Sequence, residues 1–266
     1  MQFGWYVPCT YKPAGAEKQT CENAEKMRTI EKLNDAFRGR TAYILGSGPS
    51  LSVEAVNSAH EAGGLVFAVN ASILASPNCD FWLSDDQDAA GWTYFWRELV
   101  ESNCRVLLYY DKFATHFTEE GMEKLFGKRL YWFRHRKKYS LTKPYADTPY
   151  LRLCESRNSL GTAIHVAYIM GCERAVLLGV DGRYIDGKKY FFESWPRDKQ
   201  PVRVSPRLKR IIHSKVNGQT SDTDLVETDD YWKILADNIP AGFEVFNATP
   251  GSFVKVFPEW HTSVAR

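Results

Sequence analysis

The stretch Ala42-Tyr-Ile-Leu-Gly-Ser-Gly-Pro-Ser-Leu51 joins a short apolar run to a glycine-rich turn. The run predicts a buried strand, and the spacing of the residues that follow predicts a helix whose first turn contains Pro49. Gly46 and Gly48 allow a positive φ or a close approach of the backbone to a ligand. Free N–H groups in such a turn, together with the Ser50 hydroxyl, form an anion site that a nucleotide phosphate commonly occupies. We therefore expect a nucleotide site here; an ordinary turn without a ligand is the alternative.

This turn matches neither of two common phosphate-binding patterns. The dinucleotide pattern Gly-x-Gly-x-x-Gly needs a third glycine where this chain has Leu51, and no Gly-Lys-Ser/Thr follows as in a Walker loop. The expected nucleotide site thus depends on the turn and on the residues that meet it.

Apolar runs that predict strands alternate with segments of helical spacing along the chain. Leu65-Val-Phe-Ala-Val69 is apolar throughout, as is typical of a strand buried on both faces of a parallel sheet. The alternation predicts an α/β fold, a Rossmann-like and mostly parallel sheet flanked by helices. The further predicted strands are 80–84, 105–110, 175–181 and 243–246, and the predicted helices are 53–62, 90–101, 162–171 and 228–238.

Polar residues stand where several predicted strands end, and ligands of open α/β sheets bind at the carboxyl ends of the strands. Asn70 follows one strand, and its amide offers donors and acceptors for a ribose or a base edge; a turn or N-cap role is the alternative. Asp181 ends another strand. Arg157, Asn158 and Ser159 lead into a helix of small residues, so we expect them to meet the same crevice.

Three carboxylates, Asp85, Asp86 and Asp88, follow the predicted strand 80–84. Such clusters hold divalent cations beside nucleotide-sugar phosphates in many transferases, which makes this one a candidate magnesium site. Its spacing is loose, and a solvated acidic loop is the alternative. His165 lies within the apolar helix 162–171, where we expect a packed histidine.

Basic and aromatic residues interleave in the least regular part of the chain, residues 111–150. Arg134-His-Arg-Lys-Lys138 lies among Tyr131, Trp132, Phe133 and Tyr139. Such a pattern can bind nucleic acid through phosphate contacts and base stacking, and a solvated loop is the alternative.

The composition indicates a globular protein of a reducing compartment. The chain has 266 residues, of which 44% are hydrophobic and 25% charged, and its net charge is +2. Its six cysteines lack Cys-x-x-Cys spacing, which argues against a zinc cluster or a disulfide framework. We expect neither a secretory signal, because a basic region and a long apolar run are missing at the start, nor a transmembrane segment. A cytoplasmic location follows as an expectation, and the resemblance described below implies a bacterium or a phage-infected host.

Four segments are expected along the chain. Residues 1–40 form an arm and an amphipathic helix over 16–37, which ends near Gly39, and residues 41–192 form the nucleotide-binding core. The polar stretch 193–224 is a lid or an acceptor-binding loop. Residues 225–266 add a helix and a strand that complete the core. The N-terminal segment could also mediate self-association, so the oligomeric state stays open.

These motifs together resemble two related groups of proteins. Bacterial lipo-oligosaccharide sialyltransferases and the superfamily named after 6-hydroxymethylpterin diphosphokinase, which includes many phage proteins, have similar motifs in the same order. The motifs span about residues 40 to 252, which is most of the chain. They are Gly46-Ser-Gly-Pro-Ser-Leu51, the strand ending in Asn70, Arg157-x-Ser-x-Gly161, and Gly179-Val-Asp181 with Tyr184 and Tyr190 beyond it.

The resemblance to the sialyltransferases implies a Rossmann-like glycosyltransferase that uses a CMP-sugar and needs no metal. His213, in a His-Ser-Lys context, corresponds to that family's general base, and Tyr184 and Tyr190 correspond to tyrosines that assist departure of the phosphate. Ser47 replaces an asparagine of that family, which leaves a UDP-sugar as an alternative donor. The donor-binding residues implied are Gly46, Ser47, Gly48, Pro49, Ser50, Asn70, Arg157, Asn158, Ser159, Gly161 and Asp181.

Other functions remain as alternatives at this stage. The pterin branch transfers pyrophosphate from ATP to a small hydroxymethyl compound, which would require magnesium and give Asp85, Asp86 and Asp88 a role. A nucleotide-binding or nucleic-acid-associated protein without turnover is a further alternative. The acceptor of a glycosyltransferase would be a glycan or a modified base in nucleic acid.

Overall fold

A computed structural model describes residues 28–86, 95–114, 117–135, 152–153, 158–201 and 231–260. Its centre is one sheet of eight strands in the order β6-β5-β4-β3-β2-β1-β7-β8, and every strand pairing is parallel. The predicted Rossmann-like α/β fold is therefore confirmed. The strands are β1 Thr41–Leu45, β2 Leu65–Val69, β3 Phe81–Ser84, β4 Arg105–Tyr109, β5 Leu130–His135, β6 Arg152–Leu153, β7 Arg174–Leu178 and β8 Glu244–Asn247.

Helices cover both faces of the sheet because the central strands are apolar on both sides. Ala42 and Ile44 of β1 belong to one buried cluster, whereas Tyr43 and Leu45 belong to the cluster on the opposite face. Alternate residues of a strand point to opposite faces, so one apolar run supplies both clusters. The helices are α1 Val53–Glu61, α2 Trp96–Glu101, α3 Tyr110–Phe113, α4 Glu119–Phe126 and α5 Ser159–Ile169, and residues 231–237 are also helical.

The strand order places β1 at the point where the sheet changes direction. The chain runs outward from β1 through β2 to β6, and then returns to add β7 on the other side of β1. Crossovers on the two sides of β1 leave a crevice at its carboxyl end, where ligands of open α/β sheets bind. The glycine-rich turn that follows β1 lies at this point.

The prediction of an N-terminal helix over residues 16–37 is wrong for residues 28–37, the part that the structure describes. That part has a short 3₁₀ helix, Ile30–Leu33, followed by turns. The backbone N–H groups of Asp35, Phe37 and Gly39 donate to the carbonyls of residues 169–171, which follow α5 or end it. These tertiary hydrogen bonds replace the i to i−4 bonds that would continue a helix. Residues 1–27 of the predicted arm lie outside the described residues.

The region 111–150, predicted to be irregular, contains α4 and the strand β5. Tyr131, Trp132 and Phe133 belong to β5 and are buried, with at most 7% of their surface exposed. These three rings therefore cannot stack on nucleic-acid bases, and the predicted stacking surface is wrong for them. Arg134 lies over the ring of Tyr110, 4.2 Å from its centroid. Arg136, Lys137 and Lys138 of that cluster, and Tyr139 beside it, lie outside the described residues.

Within the parts of the chain that the structure describes, no helix is long and apolar enough to cross a lipid bilayer.

Candidate functional site

The glycine-rich turn after β1 is fixed between the ends of two neighbouring strands. The Ser47 hydroxyl donates to the carbonyl of Val69 at the end of β2, over 3.2 Å. On the other side, the N–H groups of Gly46 and Gly48 donate to the carbonyls of Leu178 and Gly179, over 2.7 and 2.9 Å. The turn is therefore an integral part of the sheet edge.

Most N–H groups of this turn already have partners within the protein. Besides Gly46 and Gly48, the N–H of Ser50 donates to Oδ2 of Asp181 over 3.2 Å, and that of Leu51 donates to the Gly48 carbonyl. The expectation of free N–H groups for a phosphate is wrong for these four. The helix begins at Val53, as predicted for 53–62, with Ser52 as its N-cap. Pro49 therefore lies before the helix, and its predicted place in the first turn is wrong.

The two glycines of the turn are required by its packing. Neither has a positive φ. A Cβ on Gly46 would lie 2.5 Å from the carbonyl oxygen of Gly179, and one on Gly48 would lie 2.6 Å from the same atom and even closer to Oδ2 of Asp181. Real Cβ atoms essentially never approach so closely, so the close approach predicted for these glycines is made to the loop after β7.

Three buried side-chain oxygens around the crevice have no hydrogen-bond partner among the described residues. They are Oδ1 of Asp181, Oγ of Ser50 and Oδ1 of Asn70. Asp181 is only 3% exposed, so its free oxygen has little access to water. A buried polar atom without a partner costs about 1–3 kcal/mol, and more for a charged group. Each of these three oxygens keeps the capacity to accept a hydrogen bond.

Asn70 occupies the place predicted for it and has a conformation that few residues adopt. Its φ is 53°, in the left-handed region where asparagine is among the best tolerated side chains. The indole N–H of Trp82 donates to its carbonyl over 2.8 Å, and its own Nδ2 donates to Oγ of Ser159 over 3.4 Å. The end of β2 and the start of α5 therefore meet at Asn70.

Asp85 is a buried hydrogen-bond acceptor at the end of β3, where it was predicted either to bind a metal or to lie in a solvated loop. It is 5% exposed, so the solvated alternative is wrong for this residue. The hydroxyls of Ser159 and Thr162 on α5 donate to its two oxygens, the latter over 2.6 Å. Asp86 is partly buried, and Asp88 lies outside the described residues.

His135 ends β5 and faces the same carboxylate. Its Nε2 lies 3.5 Å from Oδ2 of Asp85, and its ring is packed edge-on against Tyr109, with centroids 4.4 Å apart. Burial raises the pKa of the Asp85 carboxyl, but hydrogen bonds from His135, Ser159 and Thr162 outweigh burial, so that this pKa is below its ordinary value. Asp85 is therefore ionised at neutral pH, and both of its oxygens can accept the hydrogen bonds that the two hydroxyls donate.

The loop after β7, which carries Asp181, is held by the turn that follows β8. The N–H of Val180 donates to Oγ1 of Thr249 over 2.9 Å, and Oγ of Ser252 donates to the carbonyl of Val180 over 2.6 Å. The N–H of Phe253 donates to the Asp181 carbonyl over 2.8 Å. All of this lies at the carboxyl end of the sheet, so the C-terminal turn fixes the position of the Asp181 carboxylate.

The structure brings one of the two predicted tyrosines close to the turn. Tyr190 precedes Phe191, whose N–H donates to the Ser47 carbonyl over 3.2 Å, so the backbone at Tyr190 adjoins the turn. Tyr184 lies before a tight turn at 185–188 and is 36% exposed. Arg157 and His213 lie outside the described residues, as does the predicted lid beyond residue 201.

Other predicted residues lie at the start of α5. Asn158 is its N-cap, and Oδ1 of this residue accepts from the N–H of Gly161 over 2.8 Å. Ser159 faces Asp85 and Asn70. His165, farther along the helix, is 2% exposed, which confirms a packed histidine.

Sequence reasoning missed the parts of the site that depend on packing. His135 was seen only as a member of a basic cluster, although it ends an apolar run just as Asn70 and Asp181 do. The same rule of polar residues at strand ends would have found it. Thr162 and Thr249 carry no comparable signal, because a single threonine in a helix or a turn is common.

No protein-family model matches the chain, and no curated protein matches it. Among solved structures, the MAf glycosyltransferase from Magnetospirillum magneticum AMB-1 is similar, with a TM-score of 0.48 and 14% sequence identity. The similarity covers 92% of this chain and 39% of that protein, so the chain spans about two fifths of its length.

Proposed function

We propose that the protein is a glycosyltransferase that moves a sugar from a nucleotide-sugar donor to an acceptor hydroxyl. A CMP-sugar is the first choice of donor and a UDP-sugar the second, on the resemblance of the motifs. The observation that carries the proposal is the set of buried oxygens without partners around the turn after β1.

These oxygens suit the hydroxyl groups of a nucleoside. Asp181 and Asn70 offer acceptors on the two sides of the turn, and Ser50 offers a hydroxyl from the turn itself. A ribose brings hydroxyl donors that would satisfy such acceptors. A phosphate brings acceptors only and would be repelled by the Asp181 carboxylate. We therefore place the ribose, rather than the phosphate, against this turn.

The phosphate has a suitable place at the start of α5. The first N–H groups of an α-helix lack partners within the helix and carry partial positive charge. Asn158 accepts from the N–H of Gly161, and among the described residues those of Ser159 and Leu160 have no acceptor, so they are available to an anion. Arg157, which the resemblance assigns to the substrate loop, precedes this helix in sequence and would add a positive charge.

The resemblance supplies the chemical roles. His213 would take the proton from the acceptor hydroxyl, whose oxygen then attacks the anomeric carbon of the sugar. The bond between that carbon and the phosphate oxygen breaks, and its electron pair stays on the phosphate. Tyr184 and Tyr190 would donate hydrogen bonds to the phosphate as its charge develops. For Tyr190 the assignment is supported by its neighbour Phe191, whose backbone N–H donates to the Ser47 carbonyl.

The alternative of a magnesium-dependent pyrophosphokinase that uses ATP receives no comparable support. Each oxygen of Asp85 accepts a hydroxyl hydrogen bond from α5, and these bonds to Ser159 and Thr162 give the buried carboxylate partners within the protein. Among the described residues, no group of three or more histidine, cysteine, aspartate or glutamate side chains could hold a metal ion. A nucleic acid as the acceptor is likewise not supported by the aromatic residues of β5, because they are buried and cannot stack on bases.

The proposal can be tested by nucleotide binding. The purified protein is screened by thermal shift and calorimetry against CMP, UDP, GDP, ADP and ATP, each with and without Mg²⁺. A nucleotide at 100 times its Kd stabilises the native state by about 2.7 kcal/mol, which should raise the Tm by about 5–10 °C in a chain of this size. We expect this rise for CMP or UDP without Mg²⁺.

Variants connect that binding to the crevice. Asp181→Asn should weaken binding of the nucleotide about tenfold, whereas Asp198→Asn, at an exposed position, should leave it unchanged. Tyr190→Phe should lower the rate of sugar transfer with little effect on binding. Stabilisation by ATP only with Mg²⁺ would favour the pyrophosphokinase, and a lack of any stabilisation would show that the turn is purely structural.

A further inference from the structure

The hydrogen bonds between β3, α5 and β2 have a direction. The Ser159 hydroxyl has one hydrogen, and a carboxylate can only accept, so this hydrogen points to Oδ1 of Asp85. The oxygen of Ser159 is then left as an acceptor towards Asn70, and it receives Nδ2 over 3.4 Å. The amide of Asn70 consequently has its NH₂ turned to Ser159 and its Oδ1 turned away.

That Oδ1 is one of the three buried oxygens without a partner among the described residues. If the amide were turned round, Oδ1 would face the oxygen of Ser159, and two acceptors would oppose each other. An asparagine side chain can present either a donor or an acceptor, and its surroundings decide which. At Asn70 the deciding group is the Asp85 carboxylate, which acts through the Ser159 hydroxyl that lies between them.

We propose that Asp85 is a positioning residue which, acting through Ser159, makes Asn70 present a hydrogen-bond acceptor to the ligand. The unit Asp85–Ser159–Asn70 is called the relay below. Its consequence is selectivity for a ligand that offers a hydroxyl at Asn70. The relay exists in the ligand-free protein and does not depend on the proposed function. Only the identification of the ligand hydroxyl with that of a ribose rests on the proposed function.

The surroundings of Asp85 keep the relay in one direction. Thr162 donates to its second oxygen, and His135 lies 3.5 Å from the same atom. The carboxylate, which follows β3, is therefore held by contacts from both α5 and β5. Asp85 is only 5% exposed, which limits competition from water for the Ser159 hydrogen. A carboxamide at this position can present its NH₂ as well as its oxygen to Ser159, so it no longer forces the Ser159 hydroxyl to donate.

The first measurement needs no ligand. In protein labelled with ¹⁵N-asparagine, the side-chain NH₂ signals of Asn70 are identified by their absence from the Asn70→Asp variant. We expect Asp85→Asn and Ser159→Ala to shift these signals and to speed exchange of their protons with water about tenfold, because the bond to Ser159 is released. Asp111→Asn, whose carboxyl is exposed in the wild type, serves as the control and should leave them unchanged.

The second measurement compares ligands that differ only in hydroxyls, CMP and 2′,3′-dideoxy-CMP. The wild type should prefer CMP about tenfold or more, and Asp85→Asn should lose most of this preference. The double variant Asp85→Asn with Asn70→Asp should regain it, because the aspartate accepts from the ligand whatever the direction of the relay. Aspartate also tolerates the positive φ at this position.

The outcomes separate the relay from the proposed function. Unchanged Asn70 signals in both Asp85→Asn and Ser159→Ala would overturn the relay, and the use of two variants protects the test against misfolding of one. Shifted signals with an unchanged preference between the two nucleotides would overturn its role in selectivity. Shifted signals in a protein that does not bind CMP would support the relay and contradict the proposed function.

Discussion

Replacement of Gly48 by alanine tests whether the glycine-rich turn serves packing or backbone conformation. Gly48 does not have a positive φ, so its backbone alone would accept alanine. The new Cβ would instead lie 2.6 Å from the carbonyl oxygen of Gly179 and closer still to Asp181. One neighbour is backbone and the other is a buried side chain, so neither can move away without losing contacts.

The cost follows from what must be displaced. Overpacking of a tight site costs about 1–3 kcal/mol. Movement of the turn would also weaken the bonds from Gly48 N–H to Gly179 and from Ser50 N–H to Asp181, at about 0.5–1.5 kcal/mol each. We therefore expect Gly48→Ala to lower the free energy of unfolding by about 2–5 kcal/mol.

Urea unfolding followed by fluorescence measures this loss, provided that the slope m is unchanged. Gly63→Ala is the matched control, because Gly63 has a φ of 69° and no atom lies within 4 Å of the position that its Cβ would take. It should cost only about 1–2 kcal/mol, from backbone conformation alone. Equal losses for the two variants, or a smaller loss for Gly48→Ala, would refute the packing explanation.

Three further predictions concern single groups. Burial raises the pKa of Asp85 and hydrogen bonds lower it, and the hydrogen bonds prevail, so the ionised carboxylate stabilises the fold fully above its ordinary pKa of 3.8. This contribution is lost as the pH falls through the lowered pKa. Urea unfolding at decreasing pH should therefore show the stability advantage of wild type over Asp85→Asn becoming smaller. Thr249→Val should cost about 1–3 kcal/mol by urea unfolding, because the buried N–H of Val180 loses its acceptor, whereas Thr249→Ser should retain most of the stability. Burial raises the pKa of the Cys172 thiol to about 12, so this cysteine should react with iodoacetamide only in unfolded protein; rapid labelling of the native state, read by mass spectrometry of the peptide, would contradict the prediction.

Local pattern was sufficient for the central strands. Leu65–Val69 was predicted to the residue, because five apolar residues bounded by Gly64 and Asn70 leave little choice of boundaries. The polar residues at the ends of these strands were also found, since their position follows from the strand itself. The strand β5 was missed although Leu130–His135 is mostly apolar, because the basic residues that follow it suggested a surface loop.

The turn after β1 was located by sequence, but its hydrogen bonds were not. Its N–H groups were expected to be free, and four of them donate to partners in the turn itself, at the end of β7 or in the loop after it. Leu178, Gly179 and Asp181 are more than 120 positions away along the chain, and nothing in the turn indicates that these atoms lie beside it.

The sequence by itself determined the α/β class, the position of the first strand and the candidate residues Asn70, Ser159 and Asp181. Only the tertiary structure decided which groups of these residues face the crevice. The reason is physical: strand formation depends on apolar residues close together in the chain, whereas the direction of a hydrogen bond depends on the partner opposite. For Asn70 that direction is fixed by Ser159 and Asp85, which come from separate elements and meet only in the folded sheet.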